Sequence, residues 1–360
     1  MAIDDAARSA AEPLDDFDGL LTWGPLQAWV EAAALPGFGR VVAAELLAGG
    51  SQNNVFRMTR ADGSAFVLRR PPRHLRANSN ATMLREARVL RALGGSAVPH
   101  PEFYDVCDDH DVIGVSFYCM GLVDGFVPTG ALPERWADDG FRLQLGPALV
   151  DAVAHLGAVD PAAVGLGDFG KADDWLARQV SRWRSQLDGY GELDGYDGPV
   201  IEGVDRVGNW LDANRPASCR IGVIHGDYQF ANIMLAHDRP AVAAIIDWEL
   251  STLGDPLLDL GWLLTAWAEP DDPPGKPGMI EPWIGMPSRA DLIAEYGRRS
   301  GRDMRDMPWF FVLACYKLGI LLEGTHARAC AGLAPKHFGD LLHQMTLWLF
   351  ARANQSIDHL

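Results

Sequence analysis

The sequence lacks the features that would place the protein at a membrane or on a nucleic acid. No uninterrupted run of 18 apolar residues occurs in the chain, so we expect no transmembrane helix. The N-terminal stretch MAIDDAARSAAEPLDDFDG is acidic and has no apolar core, unlike a signal peptide. Basic residues are also few, because 31 Lys and Arg stand against 48 Asp and Glu and the net charge is −17. We therefore expect neither a nucleic acid nor an anionic membrane as partner, since both require basic patches.

Cysteine is scarce and shows no motif. The five cysteines are scattered, without C-x-x-C spacing and without a paired histidine motif: Cys107, Cys119, Cys219, Cys315 and Cys330. An odd number of cysteines without metal-ligand spacing is typical of reduced thiols. We therefore expect a cytoplasmic protein.

The length of the chain predicts two lobes. Its 360 residues, 48% of them hydrophobic, exceed what a single hydrophobic core usually holds. We expect a mobile N-terminal tail over residues 1–22, a first lobe over 23–123 and a second lobe over 124–360. The boundary is placed at Gly121–Gly125, because strand-like patterns precede it and helical periodicity dominates after it.

The most informative stretch of the sequence is Ile221–Leu264. An apolar run, Ile221–Ile224, ends at His225-Gly226-Asp227, and Asn232 follows five residues after the aspartate. A second apolar run, residues 241–246, ends at Asp247. Two short β-type runs joined by a polar loop suggest a hairpin-like unit. Such a unit would bring Asp227, Asn232 and Asp247 together.

These three residue types suit phosphoryl transfer from a nucleotide, which depends on positioning and charge neutralisation. Asp227 can act as the base that accepts the proton of the attacking hydroxyl. Asn232 and Asp247 can hold Mg²⁺, which prefers hard oxygen ligands. We therefore predict ATP and Mg²⁺ as cofactors and a small-molecule hydroxyl as acceptor. The sequence does not decide between ATP and GTP.

The pattern H-G-D-x-x-x-x-N followed by I-D-W-E resembles the aminoglycoside phosphotransferase type of small-molecule kinase. Gly226 replaces the arginine of the protein-kinase loop, and Asp247-Trp248-Glu249 replaces D-F-G. The resemblance implies an α+β, bilobal protein-kinase-like fold, with an antiparallel N-lobe sheet plus a helix and a mainly helical C-lobe. It covers roughly Val41–Leu264. Asp259, in the family's G-D-P-x-x-D-L pattern, is expected to accept backbone hydrogen bonds from the catalytic loop.

The resemblance also implies the nucleotide-binding residues of the N-lobe. Arg69 occupies the position of the kinase lysine, with Glu86 on the following helix as its partner, although Arg70 competes with Arg69 for the role. A polar loop between two strands would cover the phosphates with backbone N–H groups. The backbone of the hinge strand would contact the adenine. The residues expected at these two places are Gly50, Ser51 and Asn53, and Met120 and Leu122.

The acceptor is left open by the sequence. Phe66–Pro72 and Leu166–Gly170 further resemble the kinase-type domain fused to acyl-CoA dehydrogenase modules in some animals. This subgroup suggests a hydroxyacyl-CoA-like acceptor as readily as an aminoglycoside. Acids such as Glu249 would suit a polycation, whereas Lys317 and Arg328 would suit an acyl-CoA. A nucleotide-binding pseudokinase without turnover is the third reading, because an arginine stands at the lysine position.

Overall fold

The computed structural model describes residues 14–48, 53–272 and 280–360. The chain divides into two compact units. The first unit comprises the chain up to Gly94 together with Pro101–Leu122, and the second comprises Gly95–His100 and Val123–Leu360.

An antiparallel sheet is the main element of the first unit. In the described part of the chain it has five strands in the order β1-β2-β3-β5-β4. The elements of this unit are α1 (Trp23–Ala32), β1 (Val41–Ala48), β2 (Asn54–Arg60), β3 (Ala65–Arg70), α2 (Ser79–Leu93), β4 (Phe103–Cys107), α3 (His110–Ile113) and β5 (Phe117–Gly121).

The hairpin between β2 and β3 follows from its turn residues. Asp62-Gly63 predicts a tight turn, and Gly63 has φ 85°. Asp62 accepts hydrogen bonds from the backbone N–H groups of Ser64 (3.0 Å) and Phe38 (2.9 Å). The pairing register sets Val55 opposite Arg69. The turn therefore positions the strand that carries the predicted phosphate ligand.

One strand prediction in the first unit was wrong. The apolar residues from Val112 to Met120 suggest a single strand, but His110–Ile113 forms a helical turn and the strand begins only at Phe117. Asp109 caps this turn by accepting a hydrogen bond from the N–H of Asp111, and Gly114 ends it at φ 81°. The local cap and the left-handed glycine outweigh the apolar pattern.

The second unit is mainly helical. Its elements are β6 (Gly130–Ala131), α4 (Glu134–Ala137), α5 (Asp139–Arg142), α6 (Leu145–Gly157), α7 (Trp175–Gly189), α8 (Val204–Ala213), β7 (Gly222–Ile224), β8 (Ile233–Leu235), β9 (Val242–Ile245), β10 (Thr252–Gly254), α9 (Leu257–Ala266), β11 (Ile280–Glu281), α10 (Arg289–Ser300), α11 (Met307–Cys330) and α12 (Lys336–Asp358). Together with the sheet of the first unit, these elements confirm the expected α+β class.

The two apolar runs of the Ile221–Leu264 stretch do not pair with each other, so that prediction was wrong in detail. β8 pairs with β9, and β7 pairs antiparallel with β10, Ile224 lying opposite Thr252. The first run therefore takes as its partner a strand that follows Asp247 in the chain. Sequence reasoning missed this pairing because Thr252–Gly254 is too short to show a strand pattern.

Helix α11 is long and apolar enough, by length and composition, to cross a bilayer. Within the described residues it is the one helix that passes this test, and 78% of its apolar window is buried inside the molecule. A core helix of a globular domain has the same properties. The buried face of α11 includes Lys317 and Glu323, two charged residues that an apolar core rarely accepts without partners.

Candidate active site

The segment after β7 holds the predicted base and one predicted metal ligand in contact. Asn232 lies at the end of a short 3₁₀ turn, Phe230–Asn232. Its side-chain Nδ2 donates to the backbone oxygen of Asp227 at 3.0 Å and to the Oδ2 of Asp227 at 2.7 Å. Gln229 donates to the other carboxylate oxygen at 2.8 Å. Both oxygens of the Asp227 carboxylate therefore have a donor, which fixes its orientation.

Asp247 approaches the same point from the end of β9. The N–H of Ile246 donates to the backbone oxygen of Asn232 at 2.9 Å. Asp247 itself has φ 64° and ψ 68°, a left-handed conformation that is unfavourable for a residue with a side chain. The structure thus brings Asp227, Asn232 and Asp247 together within the second unit. Strain of this kind persists only where surrounding contacts hold it.

The donor set fits a hard divalent cation. The amide nitrogen of Asn232 is used by its two bonds to Asp227, so the amide oxygen is the atom left to act as a ligand. Asp247 contributes a half-buried carboxylate. An amide oxygen and a carboxylate are ligands that Mg²⁺ accepts, usually together with water and phosphate oxygens.

Burial raises the pKa of Asp227 above the ordinary value for an aspartate. The hydrogen bonds from Gln229 and Asn232 and the charge of Lys317 act in the opposite direction, and the charge of Asp247 adds to the rise. A raised pKa makes a carboxylate a better proton acceptor near neutral pH. The environment therefore suits the role of general base.

His225 links the two carboxylate-bearing segments. Its Nε2 lies 3.0 Å from the backbone oxygen of Ile246, and its Nδ1 accepts the N–H of Asp227 at 3.3 Å. These contacts require a neutral ring protonated at Nε2. Burial lowers the pKa of His225 to about 4, which keeps the ring neutral. In the sequence this histidine is recognisable only as part of a motif, and its contacts with the two segments become visible in the fold.

Asp259, at the start of α9, holds the turn from the other side. Its carboxylate accepts the backbone N–H groups of His225 at 2.7 Å and of Gly226 at 2.9 Å. This confirms the expectation that it ties down the catalytic loop. Burial raises the pKa of Asp259 to about 6, although the two backbone bonds oppose the rise.

A buried lysine completes the surroundings of the turn. The Nζ of Lys317 donates to the backbone oxygen of Gly226 at 3.1 Å and lies 4.5 Å from the ring centroid of Trp262. Burial lowers its pKa to about 8, against the raising influence of Asp259 and Asp227. From the sequence, Lys317 was expected only as a contact for an acyl-CoA acceptor. The sequence feature that could have indicated this position is a single lysine in the middle of a long apolar helix.

The first unit contains the predicted ion pair. Nε of Arg69 lies 2.9 Å from Oε2 of Glu86 on α2, and the hydroxyl of Tyr118 donates to the same oxygen at 2.9 Å. Arg70 is engaged elsewhere, because its guanidinium donates to the backbone oxygens of Leu20 and Pro71. Burial lowers the pKa of Arg70 to about 10. Arg69 is therefore the arginine that pairs with the α2 glutamate.

The other predicted nucleotide contacts lie at the ends of strands in the first unit. Asn53 directly precedes β2, Met120 is in β5, and Leu122 follows β5 with 44% of its surface exposed. Gly50 and Ser51 lie outside the described residues. Their proposed contacts with a nucleotide stay predictions.

Comparison with known proteins identifies the class. The profile of the phosphotransferase enzyme family matches residues 43–309. The chain therefore belongs to this family, as the resemblance implied. A solved structure of a candidate aminoglycoside phosphotransferase from Ralstonia eutropha is 28% identical, has a TM-score of 0.74 and aligns over 92% of this chain and 98% of its own. The GDP complex of aminoglycoside 2′-phosphotransferase-IIIa, with 15% identity and a TM-score of 0.59, shares the fold; it aligns over 85% of this chain and 93% of its own.

Curated relatives confirm the subgroup. Acyl-CoA dehydrogenase family member 10 of Mus musculus is 30% identical over 79% of this chain and 26% of its own length. Acyl-CoA dehydrogenase family member 11 of Gallus gallus is 30% identical over 83% of this chain and 39% of its own length. The chain thus spans about a quarter to two-fifths of these relatives, in the part that carries the kinase-like domain.

Proposed function

We propose that this phosphotransferase moves the γ-phosphoryl group of ATP to a hydroxyl of a small molecule. The observation that carries the proposal is the contact between Asn232 and Asp227. The amide nitrogen of Asn232 orients the base, and the same contact leaves the amide oxygen for a cation. One side chain thereby connects proton acceptance to metal binding.

Asp227 would accept the proton of the acceptor hydroxyl as the hydroxyl oxygen bonds to the γ-phosphorus, the bond to the bridging oxygen breaks and ADP leaves. Gln229 and Asn232 hold its two oxygens in place, so little reorganisation is needed during the reaction. His225 and Asp259 keep the backbone of the turn fixed through their hydrogen bonds. Each of these residues affects either the position or the proton affinity of the Asp227 carboxylate.

Asn232 and Asp247 would hold Mg²⁺, which neutralises charge on the phosphate oxygens when bound. Arg69, paired with Glu86, is proposed to contact the phosphates, as the lysine does in the kinase pattern. Gly50, Ser51 and Asn53 are proposed to cover them, and the backbone near Met120 and Leu122 to contact the adenine. These assignments rest on the family pattern.

The alternatives are an acyl-CoA-type acceptor and a pseudokinase that binds nucleotide without turnover. The names of the curated relatives keep the first alternative open. The second was suggested by arginine at the lysine position. The 2.9 Å contact between Arg69 and Glu86 preserves the ion pair of the kinase pattern and favours turnover.

The decisive experiment compares Asp227→Asn with Asp238→Asn in a phosphate-transfer screen. The acceptors are aminoglycosides, hydroxyacyl-CoAs and simple amino alcohols, each with Mg·ATP. Loss of the base should reduce kcat by at least about 10²-fold, while nucleotide binding persists. Asp238, an exposed residue of the β8–β9 turn that pairs with the adjacent Arg239, is the matched control, and Asp238→Asn should leave kcat unchanged. Tight ATP binding without transfer to any acceptor would support the pseudokinase instead.

A further inference from the structure

A basic pocket adjoins the catalytic turn on the side of Lys317. Its volume is about 120 Å³. Four cationic side chains line it, and no Asp or Glu is among the described residues that do so. The chain as a whole carries 48 acidic and only 31 basic residues. A pocket whose charged lining residues are all basic is therefore unusual in this protein. The four cations are Lys171, Arg178, Arg182 and Lys317.

The four cations differ in what holds them. Arg178 donates to the backbone oxygens of Asp173 at 3.0 Å and Lys171 at 2.6 Å. Lys317 donates to the backbone oxygen of Gly226. Lys171 and Arg182 are exposed at the rim, and neither makes an ion pair with a carboxylate in the described part of the chain. Asp259 and Asp227 partly compensate the charge of Lys317, whereas Lys171 and Arg182 at the rim add positive potential that favours an anion.

The pocket shares its wall with the catalytic segments. Ile224 lies immediately before His225, and Leu250 three residues after Asp247; both line the pocket. Lys317 reaches from the pocket to the carbonyl of Gly226, the residue next to Asp227. Leu250 is 41% exposed and offers an apolar surface. A compound bound here therefore meets cations, an apolar wall and the catalytic turn together.

We propose that this pocket is the acceptor subsite for an anionic group, a phosphate or a carboxylate, carried by the molecule that is phosphorylated. The assignment rests on the proposed phosphotransferase function and adds to it the charge of the acceptor. A polycationic acceptor would be repelled at this wall by four like charges. An acceptor with one anionic and one apolar portion matches it.

The first test measures anion binding without turnover. Sulfate is titrated calorimetrically into the full-length protein and into the double variant Lys171→Gln/Arg182→Gln. We expect the variant to bind sulfate about tenfold more weakly. The control is Arg305→Gln, which removes an exposed cation that does not line the pocket. Equal sulfate affinity in all three proteins would overturn the assignment.

The second test distinguishes an acceptor subsite from a site for free inorganic anions. Acceptors are assayed in pairs that differ only in charge, a hydroxy acid and its primary amide. In the double variant we expect the KM of the acid to rise about tenfold and the KM of the amide to stay unchanged. Sulfate should compete with the acid. Inhibition or activation by sulfate that is not competitive would show a separate anion site and overturn the proposal.

The two proposals fail in different ways. If no compound is phosphorylated by the wild type, the phosphotransferase function fails, whereas the sulfate titration still reports on the pocket. If aminoglycosides are phosphorylated and the double variant is as active as the wild type on every acceptor, the function stands and the pocket is not the acceptor subsite.

Discussion

At the scale of single residues, the site depends on a few buried groups whose charge is set by their surroundings. His225 is neutral because a buried ring with a donor on one side and an acceptor on the other has no room for a second proton. Lys317 keeps a charge although it is 8% exposed, since a carbonyl, two indole rings and nearby carboxylates compensate for lost hydration.

The depressed pKa of Lys317 predicts how anion binding depends on pH. Burial lowers this pKa to about 8, Arg182 contributes to the lowering, and Asp259 and Asp227 oppose it. The ammonium is charged below that pH and neutral above it. Sulfate keeps its charge across this range, so its Kd should be constant below about pH 8 and rise as the pH increases further.

The matched variant for this prediction is Lys317→Arg, because a guanidinium stays protonated throughout. Its sulfate affinity should show no such dependence, provided that its circular dichroism and Tm match the wild type. A wild-type Kd that is flat from pH 7 to pH 9.5 would contradict the prediction.

At the scale of elements, the site is held in place by the strand pairs β7–β10 and β8–β9 and by the N-terminal end of α9. β8–β9 places Asn232 beside Ile246, while β7–β10 carries His225 to the start of α9. The turn between them requires glycine at position 226, where φ is 81°. A Cβ built there would lie 2.5 Å from the backbone oxygen of Leu250. Gly226 therefore provides both a left-handed backbone and a close approach of two segments.

Gly226→Ala should damage the site far more than Gly301→Ala. Gly301, after α10, also has a positive φ of 66°, but a Cβ there meets nothing within 4 Å. We expect Gly301→Ala to lower the free energy of unfolding by about 1 kcal/mol from backbone strain alone. Gly226→Ala adds the clash and should cost about 3 kcal/mol.

The measurements are urea unfolding and kcat. If the chain shifts at Gly226 to relieve the clash, Asp227 moves with it, and kcat should fall by about 10²-fold. Equal losses of stability in the two variants, with kcat unchanged in both, would show that the approach to Leu250 has no structural importance.

The errors of sequence reasoning at this scale have local causes. The Asp62-Gly63 hairpin was predictable because its turn residues lie next to one another in the chain. The helical turn at His110–Ile113 was missed because a cap at Asp109 mattered more than the apolar pattern. The partner of β7 was missed because three-residue strands carry no periodicity.

At the scale of the whole molecule, the five cysteines differ in their burial. All five are free; Cys107, Cys119 and Cys315 are buried, Cys219 is partly exposed and Cys330 is exposed. Burial raises the pKa values of the Cys119 and Cys315 thiols, which further suppresses the reactive thiolate. Reactivity should therefore differ strongly among the thiols of the folded chain.

We expect one thiol to react quickly with Ellman's reagent in the native protein, a second slowly, and the other three only after unfolding. Cys330→Ser should abolish the fast phase, and Cys219→Ser the slow one. Three or more fast thiols in the native wild type would contradict the burial of Cys107, Cys119 and Cys315.

The charge of the whole molecule is a poor guide to its site. A net charge of −17 suggests a cationic ligand, and Glu249 was among the acids considered for one. The pocket beside the catalytic turn has the opposite sign. Net charge sums over a surface, whereas recognition depends on the few charges that one cavity brings together.

By itself the sequence indicated the catalytic pattern, because Asp227, Asn232 and Asp247 occur at a spacing that resembles the kinase catalytic loop and its metal-binding aspartate. The α+β class followed from the same resemblance, whereas the choice of Arg69 over Arg70 as the partner of Glu86 came from the structure. Only the tertiary structure showed that Lys317, some ninety positions beyond Gly226 in the chain, contacts the catalytic turn. It also showed that Lys171, just before α7, and Arg178 and Arg182, within α7, line the same pocket as Lys317. Contacts between residues so far apart in the chain depend on how the helices pack. They have no fixed spacing in the sequence, so a sequence pattern cannot predict them.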